Sequence, residues 1–181
     1  MSTLSTKQLT QRLSKLEHQE LVEVILNMCS RIREAKQYCQ MEFGDVAHQA
    51  ALLDAAKSKM HKHFFPARKG RSHRPRSSRL RAMLSDFKKI AVFPLHLADL
   101  TLYWVELAVE YIIHNHYVKD TFFAPTEKVM DEAADLICDH TLQSYFQARL
   151  EALRDQVGKL RYYDGFKHSI VATIGFMLGD E

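Results

Sequence analysis

The chain has 181 residues, 46% of them apolar, and a formal charge of only +3, which suits one domain with a sizeable core. Six glycines and four prolines are too few for a turn-rich β protein and favour long helices. The most apolar stretch, Ile90 to Ile113, is interrupted by Pro94, Asp99, Glu106 and Glu110, and carboxylates at bilayer depth exclude a transmembrane reading.

Residues 1–20 are polar, so no signal peptide is expected. Ser5 with Gln8 three residues later predicts a capping box and a first helix running to a break near Leu16. Leu21, Val24, Ile25, Met28, Ile32 and Ala35 then recur at spacings of three and four, predicting a second helix up to Gly44. Together they read as a hairpin over 5–43. Its apolar face is expected to pack on the domain's own core, with reception of a partner's helix as the other outcome.

Asp45 is placed to cap a third helix from Val46 to about His63, rich in alanine and ended by Phe64-Phe65-Pro66. Residues 66–77 form a basic loop without apolar period. Ser77 or Ser78 is expected to cap a fourth helix through Leu80, Met83, Leu84, Phe87 and Ile90. Pro94 breaks the chain, and a fifth helix follows from Leu95 to about Tyr117. A sixth segment runs from Pro125-Thr126 to Val157, as one helix or two, and Phe166 to Leu178 closes the chain.

The fifth helix is apolar around most of its circumference, which places it at the centre of a bundle. Its polar residues His96, Asp99, Tyr103, Glu106, Glu110 and His114 follow at three and four, so they share one stripe. Such a stripe is a solvent edge, an internal salt-bridge face or, less readily, a metal site, because buried carboxylates need a cation. No Glu-x-x-His pair of the kind that binds metals in helical bundles is present.

Charge is unevenly distributed. Twelve Lys or Arg and a single acid, Asp86, lie between Lys57 and Lys89, a formal +11 against −8 for the rest of the chain. Arg68, Lys69, Arg71, Arg74, Arg76, Arg79 and Arg81 are the candidate polyanion-binding residues, since guanidinium groups suit phosphate. The competing reading folds them back onto Asp99, Glu106 and Glu110, or onto Asp131, Asp135 and Asp139. No aromatic residue lies between Ala67 and Arg81, so base stacking is not expected there.

The cysteines, Cys29, Cys39 and Cys138, match no zinc spacing and read as buried, reduced thiols in a reducing cytosol. The contiguous His114-Asn115-His116, and pairs such as His61-x-His63, carry no chelating geometry on a helix.

The run Leu4 to Met28, Phe64-Phe65-Pro66 with the arginines after it, and Ala98-Asp99-Leu100 with Tyr103 and Glu106 resemble an uncharacterised bacterial family of all-helical domains of unknown function, over about residues 4–115. The resemblance implies a bacterial cytosolic helical protein and assigns no catalytic residue. It makes Asp99, Tyr103, Glu106 and the arginines of 68–81 the first positions to mutate.

The expected architecture is therefore an all-α bundle of six to seven helices around a central, mostly apolar fifth helix. It forms one domain over 1–181, with long central and C-terminal helices over 95–157. A non-enzymatic cytoplasmic binding or scaffold protein with an unidentified protein partner is the function expected first. Nucleic-acid or polyanion binding through 68–81 is the alternative, and a metal-dependent enzyme ranks third. No catalytic residue, cofactor, metal or membrane contact is assigned.

Overall fold

Ser5 opens the first helix as its spacing predicts: Gln8 N–H donates to the Ser5 hydroxyl at 3.3 Å, and the Gln8 side chain accepts from Ser5 N–H at 3.0 Å. The computed structural model describes residues 4–67, 74–115 and 120–180. Among these it contains nine α-helices, a short 3-10 turn at Asp120–Phe122, and no strand. The helices are α1 (Thr6–Leu13), α2 (His18–Arg31), α3 (Arg33–Phe43), α4 (Val46–Phe64), α5 (Ser77–Lys88), α6 (Pro94–Asn115), α7 (Phe123–Asp139), α8 (Gln143–Gly158) and α9 (Asp164–Leu178).

The all-helical class holds, and the count of six to seven is corrected to nine. The predicted hairpin over 5–43 is three helices, because the chain is extended at Ile32 (φ −118°, ψ 113°) between α2 and α3. The segment 126–157 is two helices. They are divided at Thr141, whose φ of 53° lies in the left-handed region that a β-branched residue rarely enters. Arg76, not Ser77 or Ser78, occupies the N-cap of α5, without a side-chain cap bond.

The joint between α3 and α4 depends on Gly44. A Cβ there would lie 2.2 Å from the Gln40 carbonyl oxygen, closer than any side chain tolerates. Asp45 then caps α4, its carboxylate accepting from His48 N–H at 2.9 Å.

The helix expected as the fifth is α6, and it does hold the centre. Proline suits its first turn, where a missing N–H costs nothing. Trp104, Leu100, Leu102, Val105, Leu107, Ala108 and Val109 are all buried, and α6 packs against α4, α5, α7 and α8. A helix buried nearly all round can occupy only the middle of a bundle. α9 completes the body against α7 and α8 through Phe166, Ile170, Ile174 and Met177. No helix among the described residues is long and apolar enough to cross a membrane.

The N-terminal segment lies outside this core. α1 and α2 contain no buried residue. α2 packs mainly on α3 and α3 on α4, and α1 makes no comparable contact with a described element. The expectation that this apolar face packs on the domain's own core is corrected for α1 and α2, which bury no residue, whereas α3 joins the core through Met41; the three helices form an arm on the body.

Candidate functional site

The polar stripe of α6 divides into three parts. Asp99, only 8% exposed, and half-buried Glu106 form an ionic cluster with cations from two neighbouring helices. Lys57 of α4 donates to Asp99 Oδ2 at 2.9 Å. Arg149 of α8 places its Nη1 2.5 Å from Asp99 Oδ1, while Nε and Nη2 each approach a Glu106 oxygen at 2.9 Å. One guanidinium thus grips Glu106 with two parallel bonds and Asp99 with a third, the geometry for which its planar fork is suited. Burial works against the Arg149 cation, but the hydrogen bonds and charges of Glu106 and Asp99 outweigh it and hold its pKa above the ordinary value.

Aromatic rings line the cluster. The Lys57 ammonium lies 5.5 Å from the Tyr103 ring centre and the Arg149 guanidinium 5.5 Å from that of Phe146, cation–π distances. Burial, with the carboxylates of Glu106 and Glu110, raises the Tyr103 hydroxyl above its usual value. Two carboxylates face two cations, so the cluster is charge-balanced. It braces α4, α6 and α8 together. Among the described residues, no three His, Cys, Asp or Glu side chains converge as a metal site.

His96 sits one turn before Asp99. Its Nδ1 is buried without a hydrogen-bond partner among the described residues. Burial lowers its pKa below 6.5, and Lys57 adds to this while Asp99 opposes it. The unfolded chain therefore binds this proton first as pH falls, so His96 makes stability decline below pH 6.5 until its own folded pKa is passed. Denaturant titrations at about pH 7.5 and about pH 5 should show a smaller loss for His96→Gln than for the natural chain. An equal loss would remove His96 from the acid response. At the far end of the stripe, Glu110 is half-buried and His114 exposed. The His114 ring packs edge-on to Phe65, with centroids 5.9 Å apart.

Lys57 and Arg149 were not among the candidate residues. Lys57 occupies the second place in Leu53, Lys57, Met60 and Phe64, whose apolar members are buried, and Arg149 lies one turn from buried Phe146 and Leu153. A cation set in an apolar stripe is the signal that would have found both.

Of the basic candidates, Arg68, Lys69 and Arg71 lie outside the described residues. Arg81 is engaged internally: its Nη1 meets both Glu132 oxygens at 2.5 and 2.6 Å, and its guanidinium lies 5.4 Å from the Trp104 ring centre. Arg74, Arg76 and Arg79 are exposed, and none makes a side-chain ion pair among the described residues. Among the described residues, Arg74, Arg76, Arg79 and Arg81 make no ion pair with the acidic stripe, whose Asp99 and Glu106 are paired by Lys57 and Arg149.

The arm supplies the other candidate surface. Val22, Val24, Ile25, Leu26, Met28 and Ile32 are all exposed, Leu26 at 63%. Phe43 and Val46 at the α3–α4 corner reach 79% and 81%. An apolar residue alone in solvent is ordinary, but a contiguous patch marks a surface that another molecule covers. The cysteines of this region are not buried thiols: Cys29 and Cys39 are half-buried, as is Cys138 on α7.

The model of one family, described as a family of unknown function (DUF6155), matches residues 4–172. No curated protein and no solved structure matches the chain.

Proposed function

The chain belongs to that family of unknown function, DUF6155, and from its own geometry we propose a non-enzymatic binding or scaffold protein that pairs with a second copy of itself through α2. The exposed apolar side chains of α2 carry this reading, since Val22, Val24, Ile25, Leu26 and Met28 on that helix, and Ile32 just after it, stay 38–63% exposed among the described residues. Charge favours a second copy laid antiparallel. The first half of α2 and its cap carry Glu17, Glu20 and Glu23, and its far end carries Arg31 followed by Arg33. Antiparallel pairing sets each acidic end against the partner's basic end and opposes the two helix dipoles favourably.

Light scattering after gel filtration tests the reading. The account expects the mass of a dimer at micromolar concentration. A monomer up to the solubility limit would contradict it.

A second reading rests on Arg74, Arg76 and Arg79, which are exposed, make no salt bridge among the described residues and follow the basic segment 68–73 in sequence. This edge supports salt-sensitive binding of a polyanion such as nucleic acid. With labelled single-stranded and duplex DNA or RNA, fluorescence anisotropy should give affinity that falls steeply with salt. Neutralising three phosphate-contacting arginines should reduce the logarithmic slope by about 3. No binding at low salt removes this reading.

A further inference from the structure

We propose that Cys29 and Cys39 form a reversible dithiol site that a low-molecular-weight disulfide oxidises to an intramolecular disulfide across the α2–α3 joint. The two sulfurs lie 3.2 Å apart, although ten positions separate them and one belongs to each helix. That places them within about 1 Å of the ~2.05 Å bond length of a disulfide, a gap that small side-chain rotations close. The contact exists because the chain bends at Ile32. A continuous helix would put residues ten apart about 15 Å from each other along its axis.

Access completes the site. Both residues are half-buried on the exposed arm, so a small disulfide reaches them without unfolding of the core. The Cys29 thiol also points toward the Ala35 carbonyl, at 3.7 Å, which holds it at the joint. The adjoining Cys29 thiol, partial burial and the Glu42 charge raise the Cys39 thiol above its ordinary value.

In the first step the Cys29 thiolate attacks one sulfur of the small disulfide. A mixed disulfide forms on Cys29, and one small thiolate leaves with the electron pair of the broken bond. Cys39 then loses its proton to water, and its thiolate attacks the Cys29 sulfur. The Cys29–Cys39 bond forms and the second small thiolate leaves. Two protein thiols are oxidised by two electrons, and one small disulfide is reduced to two thiols. The product clamps the ends of α2 and α3 together and fixes the arm at its joint. The site rests on the Cys29–Cys39 geometry and not on self-association, which would cover Cys29 beside Ile25 and Met28 and slow its oxidation.

The test incubates the full chain in glutathione buffers of rising oxidised fraction, followed by acid quenching, alkylation and peptide mapping. Free thiols are expected to fall from three to one, with Cys29 and Cys39 in one bridged peptide and Cys138 alkylated. Cys39→Ser, shown folded by circular dichroism, is expected to retain glutathione on Cys29. Full alkylation of Cys29 and Cys39 in the most oxidising buffer would overturn the proposal. So would glutathione remaining on both, or a bridge that forms only to Cys138 or between two chains.

Discussion

Replacing Arg149 by methionine is expected to lower the stability of the folded chain by about 2–4 kcal/mol, read from urea denaturation. Methionine retains much of the apolar stem over Phe146 but removes the guanidinium. Glu106 then loses both of its bonds, and Asp99 keeps only Lys57. A carboxylate taken from water needs its counter-charge, and removing one partner of a buried pair costs far more than the pair contributes net. Side-chain exposure of 31% at Arg149 and 25% at Glu106 lets water soften the loss, so the range sits at the lower end for such pairs. Adding Glu106→Gln should recover part of it, because the orphaned charge goes too. A loss under about 0.5 kcal/mol would class the cluster with solvent-screened surface pairs.

The second large effect belongs to the arm. Ile25→Glu with Met28→Glu should raise the dimer's dissociation constant by at least about 100-fold, a cost of about 2.7 kcal/mol. Ile25 and Met28, 46% and 47% exposed in the single chain, lie one turn apart on the same face of α2. Fully burying such a side chain contributes about 1.5–3 kcal/mol, of which half-exposed residues still have a large part to gain. Symmetry makes each substitution act twice, and each inserts a charge into an apolar seam. Neither residue is part of the body core, so the double variant should unfold at the same urea concentration under conditions where both proteins are monomeric. Unchanged self-association would place the contact elsewhere.

The body of this protein was legible in its sequence. The capping pair Ser5 and Gln8, the cap at Asp45, the new helix opening at Pro94 and the near-continuous apolar surface of α6 are local signals with local causes. The bend at Ile32 was not legible, because neither glycine nor proline marks it and the apolar period runs through it from Met28 to Ala35. Exposure of the arm was hidden for a different reason. Periodicity tells which face of a helix is apolar, whereas what covers that face depends on the rest of the chain. The need for cations beside Asp99 and Glu106 followed from the cost of burying charge. Which cations supply it is a matter of how α4 and α8 pack, and the conspicuous arginines of 68–81 drew attention from the two basic residues embedded in apolar stripes.

Self-association through α2 is the central claim, and amide hydrogen exchange of the full chain at low and high concentration tests it most directly. The account predicts that protection across residues 20–32 rises with concentration, while that of α6, already buried, stays constant. Protection of 20–32 that is indifferent to concentration, or a rise confined to another element, would contradict it.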